Sequence, residues 1–372
     1  MGILQPYIHL FCIEQKKSIE QKKSPIFRGD VLTLGQQAVF CSWPELKAIL
    51  ATYDLPVKEL PPGFDTASKI PDWKNTPYEG NPNAQTVFTF LGADRVYATD
   101  ISTFENPDFS IDLNERVDAS YYERFDTIVD VGTLEHVFDI PTALQNVVRM
   151  CRKGGSVVLI NPSSGAIDHG FYQFSPTLYF DYFGSNGFSV VSCYLNEPFR
   201  CDPVDRRKGR ILKYESVGGE IPIATSTGFD VIFVATKSGA GDGSVKPFQS
   251  WYARIAERRE LAESNEVVQV HDAAKDEGGG GWKASEAPKR WVPTNPRVRK
   301  AVTFARLMCR FRFLTIGSIL LSRTKSWHPL WLNRYLFNQG RGSNIHCIAK
   351  YSASGDFQLV RQRSPARRPW IQ

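Results

Sequence analysis

The stretch that most constrains this chain runs from Phe125 to Pro162: FDTIVDVGTLEHVFDIPTALQNVVRMCRKGGSVVLINP. It reads as strand, loop, helix, turn, strand. Asp126 to Val131 is β-branched and alternates only weakly, as a strand buried on both faces does. Asp139 stands where a helix cap belongs, and Pro141 suits the first turn. Ala143, Leu144, Val147, Val148 and Cys151 then recur at helical spacing. Lys153-Gly154-Gly155 supplies a stop, with a cation at the negative end of the helix dipole. Ser156 to Ile160 is a second continuous apolar strand. Two such strands joined through a helix form a βαβ unit of a parallel sheet. Ligands of these sheets sit beyond the carboxyl ends of the strands. Those ends carry Gly132-Thr133-Leu134-Glu135-His136 and the polar loop Asn161 to Gln173.

More strands and helices flank this unit. Asp30 to Leu34 is a strand ending at Gly35, and Ser42-Trp43-Pro44-Glu45 is a capping box opening a helix that runs to Tyr53. Leu55 to Pro82, rich in proline and polar residues, reads as an inserted loop and a candidate lid. A helix over Asn83 to Gly92 precedes a strand, Arg95 to Thr99, that ends in Asp100. Phe109 to Asn114 is a short strand closing on Asp112. Ser175-Pro176 starts a helix that stops at Asn186-Gly187, and Phe188 to Tyr194 and Phe229 to Thr236 are two further strands. Arg200, Arg206, Arg207, Lys208 and Arg210 between them read as a solvated charge run, with a loop facing an acidic acceptor as the second reading. Lys237 to Val245 reads as a flexible linker, and Phe248 to Ser264 as a charged helix.

Charge divides the chain unevenly. Ser285 to Gln372 holds 17 basic and 2 acidic residues, while the rest of the chain nets −9, so the overall +6 hides a basic tail on an acidic body. Within it, Pro296 to Ser322 alternates arginines with apolar residues. This suits an amphipathic helix docked on the domain, and, as further readings, a helix on an anionic membrane surface or one meeting an anionic polymer. The seven cysteines are scattered without a CxxC pair, which fits a reducing cytoplasm and offers no zinc-ligand spacing. No run is long and apolar enough for a membrane span, and no N-terminal signal stands out. The expected division is an N-terminal arm over 1–27 and a sheet domain over 28–238, with 55–82 inserted. A linker with one helix, 239–295, and a basic extension, 296–372, follow.

FD, a hydrophobic strand, GTLEHV, then KGG and an apolar strand, taken in order, resemble the centre of the class I S-adenosylmethionine-dependent methyltransferases. HGFYQFSP, His169 to Pro176, together with GTLEH resembles the paired signature of a bacterial subgroup of methyltransferase-domain proteins. The likeness spans Asp30 to Thr236. It implies a doubly wound, mostly parallel seven-stranded sheet whose last strand inserts antiparallel near one edge. It also implies S-adenosyl-L-methionine as cofactor, with methyl transfer to an oxygen or nitrogen nucleophile.

The resemblance places the first cofactor loop at Gly35 and Gln36. VLTLGQQAV departs from the family there, lacking its usual acidic residue and its richer glycine pattern. Asp100, beside Ile101, suits the two ribose hydroxyls, its two oxygens matching two donors. Asp112 and Leu113 go to the adenine, and Gly132 and Thr133 lie where the backbone approaches the cofactor. On position alone Asp100 and Asp112 read equally well as turn residues. Glu135 and His136 read equally as polar groups satisfied at a helix entry. His169 is the candidate general base, with His136 and Glu135 next, against a reading as a solvated loop histidine. Tyr172 and Gln173 are substrate-binding candidates, and no metal site is expected.

Three other functions stay open. A nicotinamide-dependent oxidoreductase or epimerase is opposed by the absence of GxGxxG after the first strand. A non-catalytic cofactor-binding or scaffold protein fits the sparse first loop. A nucleic-acid methyltransferase is disfavoured, because Asp130-Val131-Gly132-Thr133 stands where a DPPY-like tetrapeptide would be. The acceptor the resemblance favours is a hydroxyl of a small molecule, a saccharide or a lipid-linked glycan.

Overall fold

Strand β6 (Phe125–Val131) is buried along its whole length, and the sheet is built outward from it. The structure, a computed structural model, describes residues 2–21, 23–55, 59–67, 76, 78–198, 209–216, 223, 225, 227–257, 345–351 and 357–359. The chain divides into two compact units, Met1–Ile255 with Gly342–Gln372, and Ala256–Arg341. Nearly all described residues belong to the first. The amphipathic stretch expected at Pro296 to Ser322 lies outside the described residues, as do Arg200, Arg206, Arg207 and Lys208.

On one side of β6 lie β2 (Gly29–Leu34), β4 (Ala93–Asp100) and β5 (Phe109–Ser110), and on the other β7 (Cys151–Ser164), all parallel. The next strand in space is β10 (Phe229–Lys237), inserted antiparallel between β7 and β8 (Phe188–Pro198). The expected seven strands and the expected insertion are therefore present. Three further strands, β9 (Gly209–Tyr214), β11 (Ile345–Tyr351) and β12 (Phe357–Leu359), continue this edge antiparallel. At Arg210, in β9, the solvated reading is corrected. Arg210 is buried and donates from its guanidinium Nε to Glu197 on the neighbouring strand, so the two charges are paired inside the sheet.

Helices cover both faces, so the sheet is doubly wound. They are α1 (Gln5–Glu20), α2 (Trp43–Tyr53), α3 (Ala84–Leu91), α4 (Ile140–Met150) and α5 (Pro176–Ser185). Side chains alternate across a strand, and the core follows that period. Val129 and Val131, Val158 and Ile160, and Ile232 and Val234 share one cluster with Tyr7, Phe11 and Phe88 of α1 and α3. Phe233, one residue out of phase, meets Tyr179 and Phe183 of α5 with ring centroids 5.5 Å apart.

Two stretches are more firmly held than their composition suggests. The N-terminal arm carries β1 (Gly2–Leu4), paired in parallel with β3 (Ala38–Phe40), and α1, most of which is buried. The Gln15 carboxamide donates to the carbonyls of Phe27 (3.0 Å) and Leu91 (2.7 Å) and accepts from the Phe27 amide (2.9 Å). Buried Glu14 accepts from Ser192 Oγ (2.9 Å) and the Tyr194 hydroxyl on β8. The run after β10 is bonded to the end of α5. Asn186 donates to the Val245 carbonyl (2.9 Å) and accepts from its amide (3.1 Å), and the Tyr182 hydroxyl donates to Gly243 (2.8 Å). Side chains at the carboxyl end of α5, far off in sequence, thus satisfy backbone groups of Gly243 and Val245 in the run read as a linker.

Candidate functional site

The carboxyl ends of β2, β4, β5, β6 and β7 form one edge, and the expected site residues fall along it. At the end of β2, Gly35 turns with φ of 74° and its amide donates to the Thr99 carbonyl on β4 at 2.7 Å. A Cβ at Gly35 would stand 2.7 Å from Thr133 Oγ1, closer than real Cβ contacts come. Glycine is required there both for the left-handed backbone and for the approach of the loop after β6. Thr133 Oγ1 donates to the Leu34 carbonyl at 2.7 Å, tying the first loop to the fourth. Gln36 is half-buried beside it.

Asp100 ends β4, and one of its oxygens accepts from the Ser102 amide at 2.9 Å. Asp112 follows the short β5 in an exposed turn, with one oxygen accepting from the Asn114 amide (2.8 Å) and side chain (2.9 Å). Each aspartate is thus half engaged locally, which joins the turn reading to the binding one. Leu113 is buried and Ile101 is exposed. The strand expected over Phe109 to Asn114 pairs only through Ser110, and the rest is turn.

The loop after β6 makes a short 3-10 turn over Leu134–His136. Asp130, fully buried, accepts from the Thr133 amide at 2.9 Å and from Asn161 Nδ2 at 2.6 Å. The same Asn161 nitrogen donates to Glu135 Oε2 at 3.0 Å, and Asn161 Oδ1 accepts from the Tyr179 hydroxyl at 2.6 Å. Asn161 therefore bridges two buried carboxylates. Burial raises both carboxyl groups above their ordinary range, and the charge of Asp130 raises Glu135 further. Desolvation lowers His136, so its imidazole favours the neutral form.

The HGFYQF loop docks onto this turn. The amides of Phe171 and Tyr172 donate to the Glu135 carbonyl at 2.8 and 3.2 Å. A Cβ at Gly170 would meet that carbonyl oxygen at 2.8 Å, so the contact requires glycine. The Tyr172 hydroxyl donates to the Phe138 carbonyl at 2.7 Å, and Gln173 accepts from the Ala166 amide at 3.1 Å. Both residues fasten the loop, and Gln173 faces solvent. Docking brings His169 Nε2 to 3.7 Å and His136 Nε2 to 3.9 Å from Glu135 Oε1, with the two rings edge to face at 5.1 Å. The three catalytic candidates thus form one cluster. Beside it Phe138 and Phe171 pack edge to face at 5.6 Å, yet remain 70% and 65% exposed, an apolar rim.

Three features of this edge escaped the sequence reading. Among the described residues, buried Gln37 Oε1 and buried Thr99 Oγ1, on β4, accept no hydrogen bond. Asp130, Asn161 and Tyr179 form the support beneath the cluster. Asp130 and Asn161 each break an apolar strand run at its carboxyl end, the one signal that could have marked them.

No family model and no curated protein matches the chain. Solved structures that resemble it include the 1,6-didemethyltoxoflavin-N1-methyltransferase of Burkholderia thailandensis, with bound 1,6-didemethyltoxoflavin and S-adenosylhomocysteine. Identity is 12%, coverage is 62% of this chain and 78% of that one, and the TM-score is 0.30. The N-methyltransferase NodS of Bradyrhizobium japonicum WM9, in complex with S-adenosylhomocysteine, is also 12% identical. It covers 62% of this chain and 86% of its own, with a TM-score of 0.30. No helix among the described residues is long and apolar enough to cross a membrane.

Proposed function

We propose that this protein is an S-adenosylmethionine-dependent methyltransferase acting on a hydroxyl of a small molecule, saccharide or lipid-linked glycan. The observation that carries the reading is the convergence, on one sheet edge, of the cradle at Gly35 with the Glu135–His136–His169 cluster. The residues present suit the cofactor. Asp100 keeps one oxygen beyond its local bond for a ribose hydroxyl. The unbonded Gln37 Oε1 and Thr99 Oγ1 suit the polar methionine end of the ligand, and Gln37 stands in for the acidic residue missing from the first loop. Asp112 and Leu113 would frame the adenine. When bound, S-adenosylmethionine supplies a methyl group on a sulfonium that leaves without further activation. The protein's task is then to align the acceptor and receive its proton. A neutral imidazole in the cluster is suited to that, and the apolar rim of Phe138 and Phe171 would hold an acceptor that carries a ring or chain.

Calorimetry with S-adenosylhomocysteine on the folded full-length protein tests the reading. Binding at micromolar ligand is expected, and a flat titration at millimolar ligand would remove it.

A further inference from the structure

We infer that Glu135, His136 and His169 form a binding site for a divalent transition-metal cation, with Glu135 Oε1 and the two imidazoles as its ligands. The ligating atoms of the three residues all lie within 4.8 Å of one another. Two nitrogens and one carboxylate oxygen are the donor set of Zn²⁺, Mn²⁺ or Co²⁺, whereas Ca²⁺ and Mg²⁺ prefer oxygen alone.

Glu135 points the assignment toward a ligand. Its side chain is 0% exposed, yet Oε1 accepts no hydrogen bond among the described residues. A buried carboxylate oxygen with no donor is costly, and native structures rarely leave one. This oxygen is aimed between the two imidazoles, at 3.7 and 3.9 Å from their Nε2 atoms, too far for a hydrogen bond. A cation bonds nitrogen and oxygen donors at about 2.1 Å, so a filled site needs donors within about 4.2 Å of one another. The Glu135–His separations already satisfy that. His136, with 47% of its side chain exposed, has room to close the third.

The support beneath Glu135 resembles what metal ligands need. Asn161 Nδ2 holds Oε2 at 3.0 Å, so that Oε1 alone is presented, and Tyr179 holds Asn161 at 2.6 Å. The exposure of both imidazoles leaves coordination positions open toward the side where Phe138 and Phe171 stand.

For its role, though not for its geometry, the inference rests on the proposed methyl transfer. An acceptor hydroxyl bound at an open position would lose its proton to solvent, because the cation lowers its pKa. The acceptor oxygen's electron pair then forms the bond to the methyl carbon as the carbon–sulfur bond breaks toward sulfur. With the ion bound, the histidines give lone pairs to the metal rather than take protons.

The test uses untagged full-length protein stripped with chelator, then titrated with Co²⁺ alone. One Co²⁺ per chain is expected, with visible d–d bands and micromolar affinity. His136→Ala and His169→Ala, both partly exposed and therefore expected to fold, should each weaken binding by about 10²-fold or more. Tyr179→Phe, which touches no ligand atom, should weaken it by about 10-fold through Asn161 and Glu135. Absence of the bands, or binding unchanged in both histidine variants, would overturn the site. Calorimetry with S-adenosylhomocysteine on the same samples separates the two readings. Cofactor binding without Co²⁺ binding defeats this inference alone, and Co²⁺ binding without cofactor binding defeats the methyl-transfer reading alone.

Discussion

Asp100, Gly35 and His169 are single residues whose replacement separates binding from chemistry. On the proposed reading, Asp100→Ala would remove charge-assisted bonds to the ribose and should weaken S-adenosylhomocysteine by about 2–4 kcal/mol in calorimetry, with folding intact. An unchanged affinity would move the ribose elsewhere. Gly35→Ala drives a Cβ toward Thr133 Oγ1 from a left-handed backbone, so both cofactor affinity and melting temperature should fall. His169→Ala should keep cofactor affinity and lose about 10²–10⁴-fold in turnover once an acceptor is known. A loss of cofactor affinity instead would make His169 a binding residue. The histidines were identifiable from their place at strand ends. Their partnership with Glu135 was not, because it depends on two loops that meet only when the Glu135 carbonyl receives the Phe171 and Tyr172 amides.

Among the elements, α4 shows how a helix end is completed from afar. Lys153-Gly154-Gly155 was expected to end it, but α4 stops at Met150 and those residues belong to β7. Besides Arg149 of its last turn, a cation reaches its carboxyl end from Lys237, the last residue of β10, only 2% exposed. Its ammonium donates to the carbonyls of Val148 (2.9 Å) and Cys151 (3.0 Å). That position satisfies two terminal carbonyls and complements the helix dipole. Lys237→Met should destabilise the protein by about 2–4 kcal/mol in denaturant titration, since both carbonyls lose a buried charged donor. A change under about 0.5 kcal/mol would show that water replaces it. Helices α2, α3 and α5 were legible because their caps are local, as with Asn83 accepting from the Thr86 amide at 2.9 Å. The N-terminal arm was harder to read, because its polar residues Glu14 and Gln15 find partners on β8, at Phe27 and at the end of α3.

For the whole molecule, α1 ties stability to pH through His9. This imidazole is 5% exposed, lies 2.8 Å from the Tyr53 hydroxyl, and burial pushes its pKa down to about 4. The unfolded chain takes up the proton near 6.5, so between the two values the unfolded state binds more protons than the folded one. Stability from the neutral ring is complete above pH 6.5 and falls as pH drops toward 4, by about 3 kcal/mol in all. Chemical denaturation at pH 7 and pH 4.5 should show this loss, and His9→Gln should flatten it. An equal slope in the variant would assign the effect to other groups.

What the sequence determined by itself is the class of fold and the edge along which the candidate site residues fall. Hydrophobic period, caps and glycine stops act within a few residues, and they place Gly35, Asp100, Gly132 and His169 at strand ends wherever the strands go. What only the tertiary structure decided is which of those ends meet. Arg210 finds Glu197, Lys237 finds α4, and Glu135 faces two imidazoles from different loops through the order β7–β10–β8 and the docking of HGFYQF. The reason is physical. A buried charge or an unsatisfied carbonyl is tolerated only beside its partner, and that partner comes from whichever strand packing makes adjacent.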